Sequence, residues 1–362
     1  MGFISAGSMT TARARHIAVR LDSGKVLIAG GAGPSSLGPS LNSAELYDPT
    51  NGHFTATGSM TTPRADHAAV VLPIGNAVLV VGGKNGGTCL SSAELYNGGT
   101  GAFAPTGSMH VARCDPTLTL LPGNKVLVAG GNNATGSLAS AEIYDIASGA
   151  FSVTSSMHVK RTGHTATTID AATGIVLIAG GDDGSDATST AELYNAATGT
   201  FAVTGAMKAK RAYHTATLIG DSVLIAGGGH ATDIGEIGWA QINTAELYNI
   251  KTGQFKLTGS MNQAREGHTA TDIGSGRVLV IGGHDWDPNG AMDPSSYLAT
   301  AEIYSSRTGK WTSAGHLAQG RDSHTATLLF SGKVLVCGGA TEAMIHGSPS
   351  QPAIKSAELW QI

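Results

Sequence analysis

Residues 161–214 read RTGHTATTIDAATGIVLIAGGDDGSDATSTAELYNAATGTFAVTGAMKAKRAYH, and each signal that decides the fold can be found in them. An Arg-x-x-His step at Arg161–His164 leads into an apolar run that ends in the glycine pair Gly180-Gly181. Ala191-Glu192-Leu193-Tyr194 follows, then Phe201 six residues before Met207, and Arg211–His214 opens the next round. The glycine pair recurs at Gly30, Gly82, Gly130, Gly180, Gly227, Gly282 and Gly338, marking seven units of about 50 residues. The Ala-Glu signature recurs at Ala44, Ala93, Ala141, Ala191, Ala245, Ala301 and Ala357, the last reading Ala357-Glu358-Leu359-Trp360.

Each unit reads as four short antiparallel strands: the segment after the His, the run into the glycine pair, the Ala-Glu-Leu-Tyr segment, and the aromatic-to-Met segment. Four such strands per repeat make a propeller blade. The glycine pair, the Tyr beyond it and the following aromatic resemble the Kelch repeat in all seven registers. The expectation is therefore an all-β, seven-bladed Kelch-type β-propeller over residues 1–362, a single domain. The last unit stops after its third strand at Ile362, while Phe3 to Met9 has the spacing of an unclaimed fourth strand. The N-terminal strand is thus predicted to complete the last blade, removing the open edges of a linear array.

Composition agrees with short strands and tight turns. Charged residues make up 13%, hydrophobic residues 41%, and there are 51 glycines. A net charge of −4 without a basic cluster argues against nucleic acid or an anionic membrane as partner. No stretch approaches the ~18 apolar residues of a membrane span, and Met1–Met9 does not resemble a secretion signal. The cysteines Cys89, Cys114 and Cys337 are too few and scattered for a disulfide framework or a zinc site. Cys337 reads as a small core residue; the redox state of Cys89 and Cys114 stays open. An extracellular or periplasmic location and a monomeric state are expected.

Seven arginines (Arg13, Arg64, Arg113, Arg161, Arg211, Arg265, Arg321) match the seven third-strand glutamates, from Glu45 to Glu358. One ligand site does not need seven copies, so these read as structural ion pairs, since buried charges persist when partnered. His16, His67, His164, His214, His268 and His324 stand one per blade, with Pro116 in blade three, and read as core histidines. No metal and no cofactor are expected. The Thr pairs after them are predicted to line a polar channel.

Function is expected where the repeat is broken. The residue two after each arginine varies freely: Arg15, Asp66, Asp115, Gly163, Tyr213, Gly267 and Ser323. In Kelch proteins that bind peptides this rim position contributes to the pocket. Nine residues separate the glycine pair from the Ala in blades two to four, twelve in blade one, and sixteen or seventeen in blades five to seven. The long loops carry His230, Trp239, His284 and Trp286. Arg15, Asp66, Asp115, Tyr213, His230, Trp239, His284 and Trp286 are therefore the candidate ligand-binding residues, for a glycan or peptide at the channel mouth. The alternative is a metal-independent enzyme acting on a carbohydrate in the same pocket, similar to the sialic acid epimerase branch of Kelch propellers. Arg15 would hold a carboxylate there, with Asp66, Asp115, His230 or His284 as acid or base. Arg211–His214 followed by Gly227–Gly229 also resembles the Tyr-His copper segment of galactose oxidase. That chemistry needs a cysteine crosslinked to a second tyrosine, and the rim of blades three and four offers Asp115 and Gly163 instead.

Overall fold

The computed structural model describes residues 2–35, 38–231, 239–285, 297–341, 343–345, 348–350 and 352–362. They form seven four-stranded antiparallel sheets and no helix. Blade one is Ile17–Arg20, Val26–Ala29, Ala44–Asp48 and His53–Ala56, ordered from the axis outward. Blade seven takes three strands from the C-terminal unit and its outermost strand, Gly2–Ser8, from the N-terminus. Phe3 pairs with Trp360 and Ile4 with Leu359, so the ring closes in the 1+3 manner.

The second strand of each blade is an unbroken apolar run because both its faces are covered. Val26, Leu27, Ile28 and Ala29 are all fully buried. One hydrophobic cluster sits between each pair of neighbouring blades. Leu127 and Ala129 of blade three meet Val176, Ile178 and Tyr194 of blade four, for example, with Met157 of the connection between them.

Polar clamps fasten each connection to the blade it enters. Arg161 Nη2 donates to Glu192 Oε1 at 3.0 Å, and Nη1 donates to the carbonyls of Gly180 and Thr190 at 2.7 and 3.0 Å. Glu192 in turn accepts the backbone N–H of His158 at 2.8 Å and of Val159 at 3.2 Å, both on the incoming connection. Burial alone would raise the Glu192 carboxyl, but these donors hold it below its ordinary value. The arrangement repeats in every blade, each arginine pairing with the glutamate of its own blade.

The glycine pair lets the next blade come close. A Cβ on Gly130, whose φ is +59°, would lie 2.5 Å from His164 Cε1 and 2.7 Å from the Arg161 carbonyl. His164 Nε2 lies 3.0 Å from Thr117 Oγ1 of the preceding blade. The same bond links Thr165 to His214, Thr215 to His268, Thr269 to His324 and, across the closure, Thr325 to His16. The first hydroxyl of each of these threonine pairs is thus engaged by the histidine of the following blade. The repeat explains one exception. Position 17 is Ile, so His67, the next histidine round the ring, lacks the threonine hydroxyl that the others have.

Candidate functional site

Two residues beyond each clamp arginine the chain reaches the mouth of the channel with a left-handed backbone. The φ angles of Arg15, Asp66, Asp115, Gly163, Tyr213, Gly267 and Ser323 are 56°, 50°, 51°, 60°, 54°, 61° and 51°. Such angles are uncommon outside glycine. Here they permit a ring of hydrogen bonds: Arg15 N–H donates to Ser323 O, Asp66 to Arg15 O, Asp115 to Asp66 O, Tyr213 to Gly163 O and Gly267 to Tyr213 O, at 2.8–3.3 Å. At Gly163 the pattern changes, and its N–H donates to the Asp115 carboxylate, Oδ2, at 3.1 Å. Gly163 is also where a side chain cannot fit, since a Cβ would stand 2.7 Å from the Tyr213 ring that covers it.

The residue before each rim position bridges to the residue just after the glycine pair. In blades one to five that first residue is Ala14, Ala65, Cys114, Thr162 or Ala212, but blades six and seven place Glu266 and Asp322 there. The post-glycine register supplies Lys84, Asp182 and His284. These two registers bring together functional groups that the rim rule alone missed; the replacement of a small residue by a carboxylate was the available signal. His284 Nε2 lies 2.9 Å from Glu266 Oε1 and its Nδ1 lies 3.0 Å from Asp322 Oδ2. Burial opposes charging of His284, but the two carboxylates outweigh it and raise its pKa to about 9. The imidazolium is thus an ion-paired cation at neutral pH rather than a free base. Trp239 Nε1 donates to the other oxygen, Oε2, of Glu266, so blades five, six and seven are linked at the mouth.

These groups line a cavity of about 920 Å³ that includes Arg15, Asp66, Lys84, Asp115, Tyr213, Glu266, His284 and Asp322. Asp66 Oδ2 is approached by Lys84 Nζ at 2.8 Å and Arg15 Nη1 at 3.5 Å. Among the described residues no cation forms an ion pair with Asp115, and Arg15 acts on it only at longer range. Burial and the neighbouring Asp66 charge push its carboxyl up to about 7, against the hydrogen bonds from Gly163 and Thr162. Burial, with the carboxylate of Asp115 next in weight, drives the Tyr213 phenol well above its ordinary value.

Of the eight candidates, Arg15, Asp66, Asp115, Tyr213 and His284 line the large cavity, and Trp239 lines a smaller one beside it. In the hairpin Gly229–Ala231/Trp239–Gln241, Ala231 pairs with Trp239 and His230 with Ala240. The pleat therefore turns His230 to the face opposite Trp239 and Gln241, where its Nδ1 lies 2.7 Å from the Ala231 carbonyl oxygen; it lines neither cavity. Trp286 lies outside the described residues. Cys89 and Cys114, which no spacing argument had joined, form a disulfide with Cα atoms 5.1 Å apart. It ties the mouth hairpin of blade two to the rim of blade three.

The KLHDC2/KLHL20/DRC7 Kelch-repeats domain matches residues 117–339, more than half of the chain. The chain belongs to this Kelch-repeat family. The Kelch propeller is 28% identical over 147 residues to the Kelch repeat-containing protein kel-10 of Caenorhabditis elegans, covering 40% of this chain and 22% of that protein. It is 29% identical over 127 residues to the Kelch repeat and BTB domain-containing protein F47D12.7 of the same organism, covering 34% and 20%. It thus spans about a fifth of the length of these relatives. Kelch propellers serve generally as scaffolds for binding proteins and other ligands. Among solved structures, a fungal alcohol oxidase of the AA5 family in complex with copper superposes with a TM-score of 0.76 at 14% identity, over 99% of this chain and 75% of that one. That likeness is one of fold.

Among the described residues of this Kelch propeller, the histidine and cysteine that a copper centre of the galactose oxidase kind could enlist are engaged elsewhere. The His214 imidazole is held in the blade wall by Thr165, and Cys89 is bonded to Cys114 rather than to a tyrosine. Among the described residues no three His, Cys, Asp or Glu side chains are grouped to hold a metal.

Proposed function

We propose that this propeller binds a glycan or peptide in the mouth of its channel, on the face of the glycine-pair loops and the blade connections. The observation that carries this reading is the cavity of about 920 Å³, whose walls are made by the residues that break the repeat. The clamp Arg and Glu are the same in every blade, whereas Arg15, Asp66, Asp115 and Tyr213 occupy equivalent backbone sites with different chemistries. The Cys89–Cys114 disulfide supports an oxidising, extracellular or periplasmic setting.

The test is a screen of glycan and peptide libraries followed by affinity measurement on Arg15→Ala. At least a tenfold loss, equivalent to about 1.4 kcal/mol, with unchanged melting is expected. Parental affinity in that variant, together with loss of binding on substitution of the short-turn face, would place the ligand on the other side.

A second reading, a metal-independent acid–base enzyme acting on a carbohydrate, is favoured by Asp115, whose carboxyl titrates at about 7 and lines the cavity. Turnover that disappears in Asp115→Asn while ligand still binds would select it over pure binding.

A further inference from the structure

Beside the main cavity, and sharing Tyr213, Glu266 and His284 with it, lies a pocket of about 230 Å³ whose other walls are Asp182, Trp239 and Gln241. We propose that this pocket receives an ammonium group of the ligand, held against the aromatic walls of Tyr213 and Trp239 and facing the carboxylates of Asp182 and Glu266. The proposal rests on the mouth being the ligand site and specifies what one end of that ligand must be.

The two rings stand at 61° with centroids 6.4 Å apart. They form a corner rather than a platform, so a flat sugar ring cannot lie against both. Edge meets face in this pair, so a compact cation can sit over the open face of one ring, within the ~6 Å of its centroid over which the quadrupole attracts it, while the other ring closes the side of the pocket. Both walls are fixed before any ligand arrives. The indole is pinned through Nε1 to Glu266, and the phenol ring rests on Gly163, where no side chain could intervene. Preorganised aromatic walls reduce the ordering cost of binding.

Charge decides the sign of the guest. Asp182 carries a carboxylate whose Oδ1 accepts the Gly184 N–H. His284, the cation in the pocket wall, already has Glu266 on one nitrogen and Asp322 on the other. The balance of these groups is negative, which disfavours a carboxylate or phosphate guest. The volume lies below the ~300–1,000 Å³ of a pocket for a whole small ligand. It suits a head group, with the remainder of the ligand extending into the main cavity. A lysine side chain, an amino sugar and a quaternary amine all present this chemistry.

Matched pairs of probes separate the sources: choline against 3,3-dimethylbutan-1-ol, N-acetyl-lysine methylamide against its norleucine counterpart, and glucosamine against glucose. Binding is read by calorimetry and by the indole N–H resonance of Trp239. The expected result is at least a tenfold preference for the cation in one or more pairs, with the pair identifying the source. That preference should be lost in Trp239→Leu and reduced at least tenfold in Asp182→Asn. The latter keeps the side-chain oxygen that caps Gly184, so it protects the test against misfolding. Equal binding within every pair, or parental cation affinity in both variants, would overturn the pocket assignment. So would a mouth ligand whose affinity is unchanged in saturating choline, and that outcome would leave the mouth reading standing. Choline binding retained in a protein whose other ligands dock elsewhere would do the reverse.

Discussion

Two kinds of charge cluster among the described residues can be set side by side, the repeated Arg–Glu clamps and the bridge Glu266–His284–Asp322. The clamps come seven times, their arginine side chains fully buried, and each guanidinium is met by a carboxylate, a Ser or Thr hydroxyl and backbone carbonyls of one blade. The bridge comes once, crosses from blade six to blade seven and lines the cavity, with His284 at 13% exposure. Both satisfy the rule that a buried charge needs partners. The clamp, however, answers a need of every blade, whereas the bridge answers one that only this side of the mouth has. Copy number thus separates scaffold from site where burial and pairing do not.

The largest effect should come from breaking a clamp. Arg161→Ala leaves Glu192 buried with its backbone donors but without its counter-ion, and denaturant unfolding should show a loss of about 3–5 kcal/mol. A loss under about 1 kcal/mol would mean that the clamps do not hold the blades and that the contrast with the bridge is empty.

The bridge should instead reveal itself in pH dependence. The folded-state pKa of His284 is raised from 6.5 to about 9, so its contribution to stability is full below about 6.5 and fades as pH rises through 9. The difference in stability between parent and His284→Gln should therefore shrink over that window. Asp115, also raised, causes its own decline between about 4 and 7 in both proteins and cancels in the difference. A difference that is flat from pH 6 to 10 would show that His284 is not held as a cation.

The smallest effect probes the scaffold's own irregularity. Ile17→Thr supplies the hydroxyl that every other ring histidine has and His67 lacks. The substitution also removes apolar surface, so the informative quantity is the coupling. In a double-mutant cycle with His67→Leu, Ile17→Thr should be about 0.5–1.5 kcal/mol more favourable with His67 present than with it replaced. No coupling would mean that the histidines do not depend on their threonines.

Most of the architecture was legible in the sequence because a repeat states its pattern seven times, down to the orphan strand at Phe3. The rim was legible for the same reason. What could not be read were relations across blades or through a hairpin pleat. The union of Cys89 with Cys114 requires knowing that the blade-two hairpin leans on blade three. The opposed directions of His230 and Trp239 depend on a register in which 231 faces 239. Glu266 and Asp322 stood one residue before the rim, in a register that is small in five blades, and an argument confined to rim residues passed over them.

Closure by the first strand also bears on how the chain is born. A ribosome makes Phe3 before any other part of the ring and Trp360, its partner, after nearly all of it. The ring's earliest strand must therefore wait, unpaired, while six blades emerge and assemble, and blade seven can form only once the first and last strands of the ring have both been made. Any product cut short before Trp360 leaves an exposed strand at one end and an unfinished ring at the other, a state open to pairing with neighbouring chains. Completion of the circle thus doubles as a check that the last strand of the seventh unit has been made.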